Sequence, residues 1–278
     1  MDKTILITGC SSGIGEALAR EFRRRGQRVY ATARRRESLA ALEAEGVRGL
    51  VLDVDDDASI GEALEVVRQE AGRLDLLVNN AGVPGVGAAV DLDRHDLRQV
   101  YETNVISPLR MTAAALPLLR AAVAARGCAT VANVGSIVGL VATPFAAAYC
   151  SSKAAVHSLT ETLRMELAPF GIQVTCIQPG GVRSSFGRHA EEGIRLPEGS
   201  LYQPAERGIL ARARAGQVGA TPAEEFVVPV AGKLLRDRPP RVIRGGANSL
   251  RLPWLKRLLP GAMFDARLSR MFRLNLLG

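Results

Sequence analysis

The sequence predicts an α/β fold with a doubly wound parallel sheet and helices on both of its faces, on the basis of two observations. Seven short runs rich in leucine and β-branched residues recur along the chain, and longer segments with helical spacing separate them. This alternation indicates βαβ units. The runs are continuously apolar, as strands are when both sheet faces are covered. They lie at residues 4–8, 28–33, 48–54, 74–81, 129–136, 172–179 and 241–246.

The segments between these runs carry apolar residues at helical spacing. Residues 15–26 form the first predicted helix, and Gly26 provides a stop for it. The clearest later examples are residues 58–72 and 152–171. A helix is therefore expected after each strand, packed on one face of the sheet.

Length and composition fit one large domain. The chain has 278 residues, of which 47% are apolar and 23% are charged. No run approaches the roughly 20 apolar residues needed to cross a bilayer, and the N-terminus does not resemble a signal peptide. We expect a single cytoplasmic domain over residues 1–278, with an irregular lid at about 183–222 and a basic, apolar C-terminal extension at about 247–278.

Neither the cysteines nor the charge indicates a metal site or a nucleic-acid partner. The four cysteines are scattered and lack a CxxC pair or a nearby histidine cluster, which is typical of reduced thiols. The net charge is +8, with basic residues concentrated at 20–28, 34–36 and 236–273. Zinc spacing and recognisable nucleic-acid modules are absent from the sequence. We therefore interpret the excess as a solvated surface and expect no metal.

A glycine-rich stretch, TGCSSGIG at residues 8–15, lies between the first strand and the first helix. Its glycines, Gly9, Gly13 and Gly15, have the spacing G-x-x-x-G-x-G. Backbone N–H groups and the positive end of the helix dipole meet at this corner, so an anion is favoured there. We interpret the stretch as the phosphate turn of a Rossmann-type, dinucleotide-binding sheet; the alternative is a tight turn needed only for packing.

A second group of residues indicates acid–base chemistry. Tyr149 and Lys153 are four residues apart, so on a helix they share a face, and Ser136 ends the fifth strand-like run. A phenol has an unperturbed pKa of about 10. A nearby ammonium lowers that pKa toward the range of general acid–base catalysis. A lone Y-x-x-x-K pair is usually a surface coincidence, but this pair follows a phosphate turn and a Gly-rich strand end.

Taken together, these motifs resemble the short-chain dehydrogenase/reductase family, over residues 3–185. The family implies an NAD(P)-dependent hydride transfer between an alcohol and a carbonyl compound. By this resemblance Tyr149 is the acid/base, Lys153 binds the nicotinamide ribose and lowers the pKa of the tyrosine, Ser136 orients the substrate, and Asn104 holds a water in a proton relay. The matching motifs are TGCSSGIG at 8–15, NNAG at 79–82, Asn104, Ser136, YCSSK at 149–153 and PGGV at 179–182.

The resemblance also assigns the remaining cofactor contacts. Asp53 is expected near the adenine amine with Val54 beside the ring, and the backbone of Val182 near the nicotinamide carboxamide. Asn80 is expected to contact the cofactor from the fourth strand. With the phosphate turn and the ribose contacts, the implied cofactor-binding set is Gly9, Ser11, Ser12, Gly13, Ile14, Gly15, Arg34, Asp53, Val54, Asn80, Tyr149, Lys153 and Val182.

The end of the second strand favours NADP(H). In NAD-binding relatives an acid closes this strand and bonds the ribose diol. Here Ala33 occupies that position and Arg34, Arg35 and Arg36 follow. An arginine fork binds a phosphate bidentately, and Arg34 is the expected contact. The alternative is that the three arginines are the solvated start of a helix.

The lid and the extension give the indications of substrate class in the sequence. The lid carries Phe186, Ile194, Leu196 and Tyr202 as candidate pocket residues, whereas His189 is expected to be a solvent-exposed loop histidine. The motif VYATARR and the extended C-terminus resemble the branch of hydroxysteroid and retinol dehydrogenases. That resemblance implies a bulky, apolar alcohol or carbonyl substrate.

The C-terminal extension mixes leucine and aromatic residues with arginine and lysine, and two interpretations are open. It could lie on an anionic membrane. Alternatively its apolar side packs over the substrate cleft or on a neighbouring subunit. Pro253, Pro260 and Gly261 divide the segment into short pieces, which favours packing.

Two functions from different classes are compatible with these residues. The first is an active NADP(H)-dependent oxidoreductase; the second is a catalytically silent nucleotide-sensing or scaffold protein of the same fold. The presence of Asn104, Ser136, Tyr149 and Lys153 together favours the enzyme. The helices around 95–125 and 152–168 pair between subunits in the family, so we expect a homodimer or homotetramer.

Overall fold

A seven-stranded parallel sheet forms the centre of the molecule, as predicted. The computed structural model describes residues 2–277, and the strand order is β3-β2-β1-β4-β5-β6-β7 with every neighbouring pair parallel. The strands are β1 (Thr4–Ile7), β2 (Arg28–Ala33), β3 (Arg48–Val51), β4 (Leu76–Asn79), β5 (Ala129–Val134), β6 (Ile172–Pro179) and β7 (Val242–Gly245). Each of them falls within one of the seven apolar runs.

Helices follow the strands on both faces. Within the described residues they are α1 (Gly13–Arg24), α2 (Ala40–Ala44), α3 (Asp57–Ala71), α4 (Arg94–Tyr101), α5 (Ser107–Arg126), α6 (Ala147–Leu167), α7 (Phe186–Glu192), α8 (Glu206–Arg214), α9 (Ala223–Leu234), α10 (Arg251–Leu258) and α11 (Gly261–Met271). The first two predicted helices are confirmed within two residues. The predicted helix at 152–171 instead begins at Ala147. It stops at Leu167 because a single 3₁₀ turn and Gly171, with φ +74°, follow it.

The core lies on both faces of the sheet, because successive side chains of each strand point to opposite faces. In β1, Ile5 and Ile7 belong to an apolar cluster with residues of α1 and α9, whereas Leu6 belongs to a second cluster with residues of α3, α5 and α6. Successive side chains of a strand point to opposite faces, so a run of continuously apolar residues serves both clusters. Burial on both faces fixes the sheet and the positions of its strand ends.

The segment between α4 and α5 contains a feature that the sequence did not indicate. Residues 102–106 form a π turn, which joins the two helices into one interrupted rod. Asp55, in the loop after β3, accepts hydrogen bonds from the hydroxyls of Thr103 and Ser107, both at 2.6 Å. This carboxylate therefore ties the turn that carries Asn104 to the loop after β3.

A third apolar cluster joins the lid to the C-terminal extension. We call the lid, residues 183–222, and the extension, described from 247 to 277, together the cap; it contains the helices α7, α8, α10 and α11. Phe264, Leu268 and Phe272 are buried with Ile209 of α8 and Phe145, which precedes α6. The extension thus packs within the chain, on the lid. None of the helices among residues 2–277 is long and apolar enough to span a membrane.

Candidate active site

The predicted site residues meet at the carboxyl edge of the sheet. The strand order changes direction between β1 and β4, and ligands of doubly wound sheets bind outside the strand ends at such a switch point. The residues that leave the strands at this edge are Gly9 after β1, Arg34 after β2, Asp53 after β3, Asn80 after β4, Ser136 after β5 and Val182 after β6. The topology thus brings together residues that are distant in the sequence.

The glycine turn has the shape of a cradle. Gly9 and Gly13 have φ values of +71° and +65°, in the left-handed region that side chains disfavour. A Cβ on Gly15 would run into the carbonyl oxygen of Gly9 and lie 2.5 Å from Nδ2 of Asn80. Ser12, which caps α1, uses no side-chain bond to the helix N–H groups. These groups remain available at a helix N-terminus, and the cradle fits a dinucleotide phosphate.

Asn80 fixes this turn from behind. Its side-chain amide donates to the carbonyl oxygens of Thr8 and Gly9, both at 2.9 Å. The hydroxyl of Thr8, at the end of β1, accepts from the backbone N–H groups of Asn80 and Ala81 at 3.0 Å. The predicted cofactor contact of Asn80 therefore includes a positioning role, and Thr8 is a partner that the sequence reasoning missed. A hydroxyl directly after a buried strand was the available signal.

Three residues of the predicted set complete the turn and its surroundings. Ser12 lies 2.6 Å from Ser185, hydroxyl to hydroxyl, so the turn touches the start of the lid. Ser11 is exposed. Ile14 packs against the first apolar cluster. Only Ser11 and Ser12 thus present polar side chains at the surface of the turn.

The adenosine end of the edge carries mixed charge. Asp53 is half-buried, its carboxylate accepts from the N–H of Asp55 at 3.1 Å, and Val54 packs against the second apolar cluster. Arg34 is exposed, and within residues 2–277 its guanidinium has no hydrogen-bond or ion-pair partner. Arg36, by contrast, pairs with Glu43 at 3.0 Å. Of these two arginines, Arg34 is therefore the one whose charge is not already engaged.

Val182 leaves β6 with its backbone partly free. The bridge between Val182 and Thr221 uses the carbonyl of Gly181 and the N–H of Arg183, so the N–H of Val182 takes no part in it. The carbonyl oxygen of Val182 accepts from Nε2 of Gln217 at 3.3 Å. A free N–H at this strand end agrees with the expected contact to an amide.

Helix α6 brings the acid–base residues together. Tyr149 and Lys153 share one face, and Nζ of Lys153 lies 5.8 Å from the centroid of the tyrosine ring. Nζ also donates to the carbonyl oxygen of Val134 at 2.8 Å. The ring of Phe186, the first residue of α7, lies 5.2 Å from the Tyr149 ring, centroid to centroid. The lid therefore contacts the tyrosine directly.

Burial dominates the electrostatics of this pair. It raises the pKa of Tyr149 to about 12, and the positive charge of Arg212 and a hydrogen bond from Ser136 oppose that rise. Burial lowers the pKa of Lys153 to about 8. The resemblance assigned the lowering of the tyrosine pKa to Lys153. In the structure the positive charge of Arg212 also lowers this pKa, and the role of Lys153 stays a prediction.

Asn104 lies in the π turn and is fully enclosed. Its Oδ1 accepts from the N–H of Val83 at 2.8 Å, and its Nδ2 donates to the carbonyl of Val83 and to the hydroxyl of Ser152, both at 3.0 Å. A Cβ on Gly82 would lie 3.1 Å from Oδ1 of Asn104 and 3.6 Å from Nζ of Lys153. Asn104 and Lys153 thus approach the same glycine, and the amide side chain is held in one orientation.

Two further residues at the site were missed by the sequence reasoning. His157 follows Lys153 by one helical turn, and its Nε2 accepts from the N–H of Ser136 at 3.4 Å. Its spacing from Tyr149 and Lys153 was a usable signal. Arg212 of α8 donates from Nε to the hydroxyl of Thr143 at 2.7 Å. No local pattern indicated Arg212, because the tertiary fold of the lid brings it to the site.

Other places in the molecule carry less chemistry. A cavity of about 270 Å³ lies at the opposite, amino edge of β1 to β3, beside Arg28, Arg48 and Glu70, and shares no residue with the predicted site. Among residues 2–277 no three His, Cys, Asp or Glu side chains are grouped as they would be around a metal ion.

Fold and glycine turn together define the class of dinucleotide-binding α/β proteins. The family model described as short chain dehydrogenase matches residues 3–194. The chain belongs to this family.

Relatives and solved structures agree with that assignment. Short-chain dehydrogenase ptmH of Penicillium ochrochloron is 38% identical over 95% of both chains. The NADPH-dependent 1-acyldihydroxyacetone phosphate reductase of Schizosaccharomyces pombe is 42% identical over 81% of this chain and 74% of its own. The crystal structure of a short-chain dehydrogenase from Streptomyces avermitilis, 30% identical, superposes with a TM-score of 0.79 over 99% of this chain and 98% of its own. A short-chain dehydrogenase/reductase from Burkholderia phymatum in complex with NAD, 25% identical, gives 0.78 over 92% and 93%.

The family establishes the broad chemistry. The protein is an oxidoreductase that acts on CH–OH groups of small molecules and binds a nicotinamide cofactor. The cradle of glycines and the helix N-terminus at the carboxyl edge are where this chain's residues fit the cofactor's phosphates.

Proposed function

We propose that the protein is an NADP(H)-dependent oxidoreductase that interconverts an alcohol and a carbonyl group on a bulky, largely apolar substrate. The observation that carries the proposal is the placement of Tyr149 and Lys153 on one turn of α6, beside Ser136 and at the same sheet edge as the glycine turn. Tyr149 acts as the acid/base, Ser136 orients the substrate oxygen, and Lys153 and Asn104 support the proton relay.

The chemistry follows from these positions. The nicotinamide, when bound, supplies or accepts the hydride. Tyr149 is protonated at neutral pH and can donate its proton to a carbonyl oxygen as that oxygen gains charge. Burial raises its pKa to about 12, and the positive charge of Arg212 and the hydrogen bond from Ser136 act against that rise, toward the range of general acid–base catalysis. Ser136 forms a hydrogen bond with the hydroxyl of Tyr149. We therefore expect both hydroxyls to bind the same substrate oxygen. Lys153 carries a positive charge below its lowered pKa of about 8 and lies beside the ring.

The preference for NADP(H) rests on the end of β2. Ala33 closes the strand, so no carboxylate stands where it would repel a ribose phosphate, and Arg34 next to it is exposed and unpaired within the described residues. The S. pombe relative is named as NADPH-dependent, which supports the same preference here.

The substrate class rests on the cap. Phe186 lies against Tyr149, and Leu196 and Tyr202 pack on the third apolar cluster. An apolar wall beside the acid/base suits a bulky apolar group. The name of the S. pombe relative, a reductase of an acylated compound, supports this class.

Assembly and location are part of the proposal. Leu97 on α4, Leu109 on α5 and Met165 on α6 are each at least 40% exposed, on the helices expected to pair between subunits. We expect a cytoplasmic homodimer or homotetramer. Light scattering at micromolar protein tests the assembly, and a clean monomer would remove it from the proposal.

Tyr149→Phe tests the proposed chemistry. NADPH consumption is measured with a panel of ketones and aldehydes, and the variant should lose about 100-fold or more of the turnover while its NADPH affinity stays within about threefold. Tyr101→Phe, on α4, is the control and should keep its activity. Residual turnover of Tyr149→Phe within tenfold of the parent would exclude Tyr149 from the mechanism. NADPH binding with no turnover of any compound would favour the alternative, a silent nucleotide-sensing or scaffold protein.

A further inference from the structure

Arg212 is a buried cation without a counter-charge. Its residue is 9% exposed, and its Nε donates to the hydroxyl of Thr143 at 2.7 Å. Within residues 2–277 no carboxylate pairs with the guanidinium, and its two Nη groups donate to nothing. A guanidinium cannot lose its proton at ordinary pH, so the charge persists. Neither Nη is among the enclosed, unpartnered atoms of the described residues, so the four N–H donors that they carry reach solvent from a side chain that is otherwise buried.

Two of the four acids of the lid are engaged elsewhere, and the other two, Glu198 and Glu206, are exposed. Glu191 pairs with Arg214 at 2.7 Å, and Glu192 pairs with Arg188 at 3.9 Å, both with exposed arginines. The structure thus neutralises arginines that solvent already stabilises and leaves the buried one alone. A guanidinium whose stem is buried and whose Nη groups reach solvent without a carboxylate partner can take its counter-charge from a bound anion.

Arg212 lies near the turn of α6 that carries the acid/base. Its partner Thr143 lies 3.7 Å from Sγ of Cys150, hydroxyl oxygen to sulfur, and Cys150 is the neighbour of Tyr149 on α6. The charge of Arg212 is also the strongest influence that lowers the pKa of Tyr149 against the effect of burial. The guanidinium is therefore close enough to Tyr149 for its charge to act there.

We infer that Arg212 binds an anionic group, a carboxylate or a phosphate, carried by the carbonyl substrate itself. This inference rests on the proposed function and narrows it: the substrate is amphiphilic, with its apolar part against the cap and its anion on Arg212. Thr143 holds Nε, and the two Nη groups can then form paired hydrogen bonds to two oxygens of one anion. Arg212 is thus the residue that selects the substrate.

A matched pair of probes tests the inference by binding alone. The affinities of γ-oxododecanoate and its methyl ester are measured by calorimetry on the protein saturated with NADP⁺, which cannot reduce the ketone. The parent should bind the acid at least about tenfold more tightly than the ester, as expected for a charge-assisted pair. Arg212→Met should abolish that difference and leave the affinity for the ester within about threefold. Dodecyl phosphate as a competitor distinguishes phosphate from carboxylate, and preference for either anion supports the inference.

Controls separate the possible outcomes. Arg207→Met removes an exposed arginine from the same helix and should keep the full preference for the acid. Arg212→Lys keeps the positive charge but loses the paired hydrogen bonds of the guanidinium, so it should keep part of the preference for the acid. If Arg212→Met does not fold, the preference for the acid is measured instead in Arg212→Lys and in Thr143→Val, which removes the hydrogen bond to Nε, and both should lower it. Equal affinities of acid and ester in the parent, or an equal loss of both in Arg212→Met, would overturn the inference. Turnover with NADPH is a separate measurement, so a selective binder that reduces neither probe would contradict the proposed function and not the role of Arg212.

Discussion

The sheet and the cap of this molecule are held together to different degrees. All four residues of β1 are buried, and two apolar clusters cover the sheet from opposite faces. In the cap, α10 buries no residue completely and α11 buries only Phe264 and Leu268. The glycine turn follows β1 and the acid–base pair lies on α6, which packs on the sheet, whereas Phe186 and Arg212 belong to the cap. The cofactor side of the site is therefore supported by a well-buried core, and the substrate side by elements with fewer buried apolar residues.

This difference predicts how the two regions move. Segments with few buried apolar contacts open at a lower free energy than the core of the same protein. Trp254 and Leu258 of α10 remain 57% and 71% exposed, so little apolar surface holds that helix in place. We therefore expect the cap to open while the sheet stays folded, as lids do when substrate enters.

The largest effect is expected from Gly208→Ala, which attacks the cap alone. A Cβ on Gly208 would run into the carbonyl oxygen of Phe272, where the end of the C-terminal extension packs on α8. Alanine is the better helix former, so any loss must come from this clash with backbone. We expect the extension to lose about 3 kcal/mol of docking free energy. Limited trypsin digestion should then cleave after the arginines of α11, while the affinity for NADPH is unchanged.

Gly216→Ala is the matched control for that prediction. Gly216 also lies in the lid, and a Cβ there would meet nothing within 4 Å. Its digestion pattern should equal that of the parent. If Gly208→Ala weakened NADPH binding or unfolded the whole protein in one step with the sheet, the cap and the sheet would not be the separable regions described above.

The two regions also differ in how far the sequence predicts them. The strands were predictable because strand and helix periods are local properties, and the glycine turn because its spacing has a backbone reason. Tyr149 and Lys153 were found because they are one helical turn apart. The start of α6 was misplaced by five residues, since Ala147 and Ala148 carry no sharp boundary signal.

The cap escaped prediction because its contacts are not local. The third cluster combines loops after β4 and β5 with helices near the C-terminus, and no periodicity records which of these elements meet. Arg212 illustrates this: its sequence neighbours Ala211 and Ala213 give no indication that its side chain is mostly buried or that its charge acts on Tyr149. The sequence predicted a lid with apolar residues, but not the one buried cation that the lid brings to the site.

The second largest effect is expected at the cofactor side, from Arg34→Val. Loss of a charge-assisted contact should reduce the preference for NADPH over NADH by about ten- to a hundredfold. The double change Ala33→Asp with Arg34→Val adds repulsion and should turn the preference toward NADH. Titration of both reduced cofactors by nucleotide fluorescence at low salt measures it. Arg195→Val, an exposed arginine of the lid, is the control, because the cap is expected to contribute nothing to this choice.

Equal affinities of the parent for NADPH and NADH at low salt would show that Arg34 only faces solvent. A strong effect of Arg195→Val would show instead that the cap shares in holding the adenosine end. Either result would contradict the assignment of cofactor choice to the end of β2 alone.

The smallest effect concerns His157, which lies behind the site on the sheet side, and its counterpart His189 in the cap. Burial lowers the pKa of His157 to about 4, and the charges of Lys153 and Arg244 act in the same direction. Between pH 6.5 and 4 the unfolded chain therefore binds a proton that the folded protein does not. The free energy of unfolding falls as the pH falls through this window, by about 2 kcal/mol for this group. In His157→Gln that part of the acid sensitivity should disappear, as measured by urea unfolding at pH 6.5 and 4.5.

His189→Gln removes an exposed imidazole of α7, and its loss of stability with falling pH should equal that of the parent. If His157→Gln kept the parent's full loss of stability, the acid sensitivity would arise from other groups and His157 would already be hydrated in the folded protein.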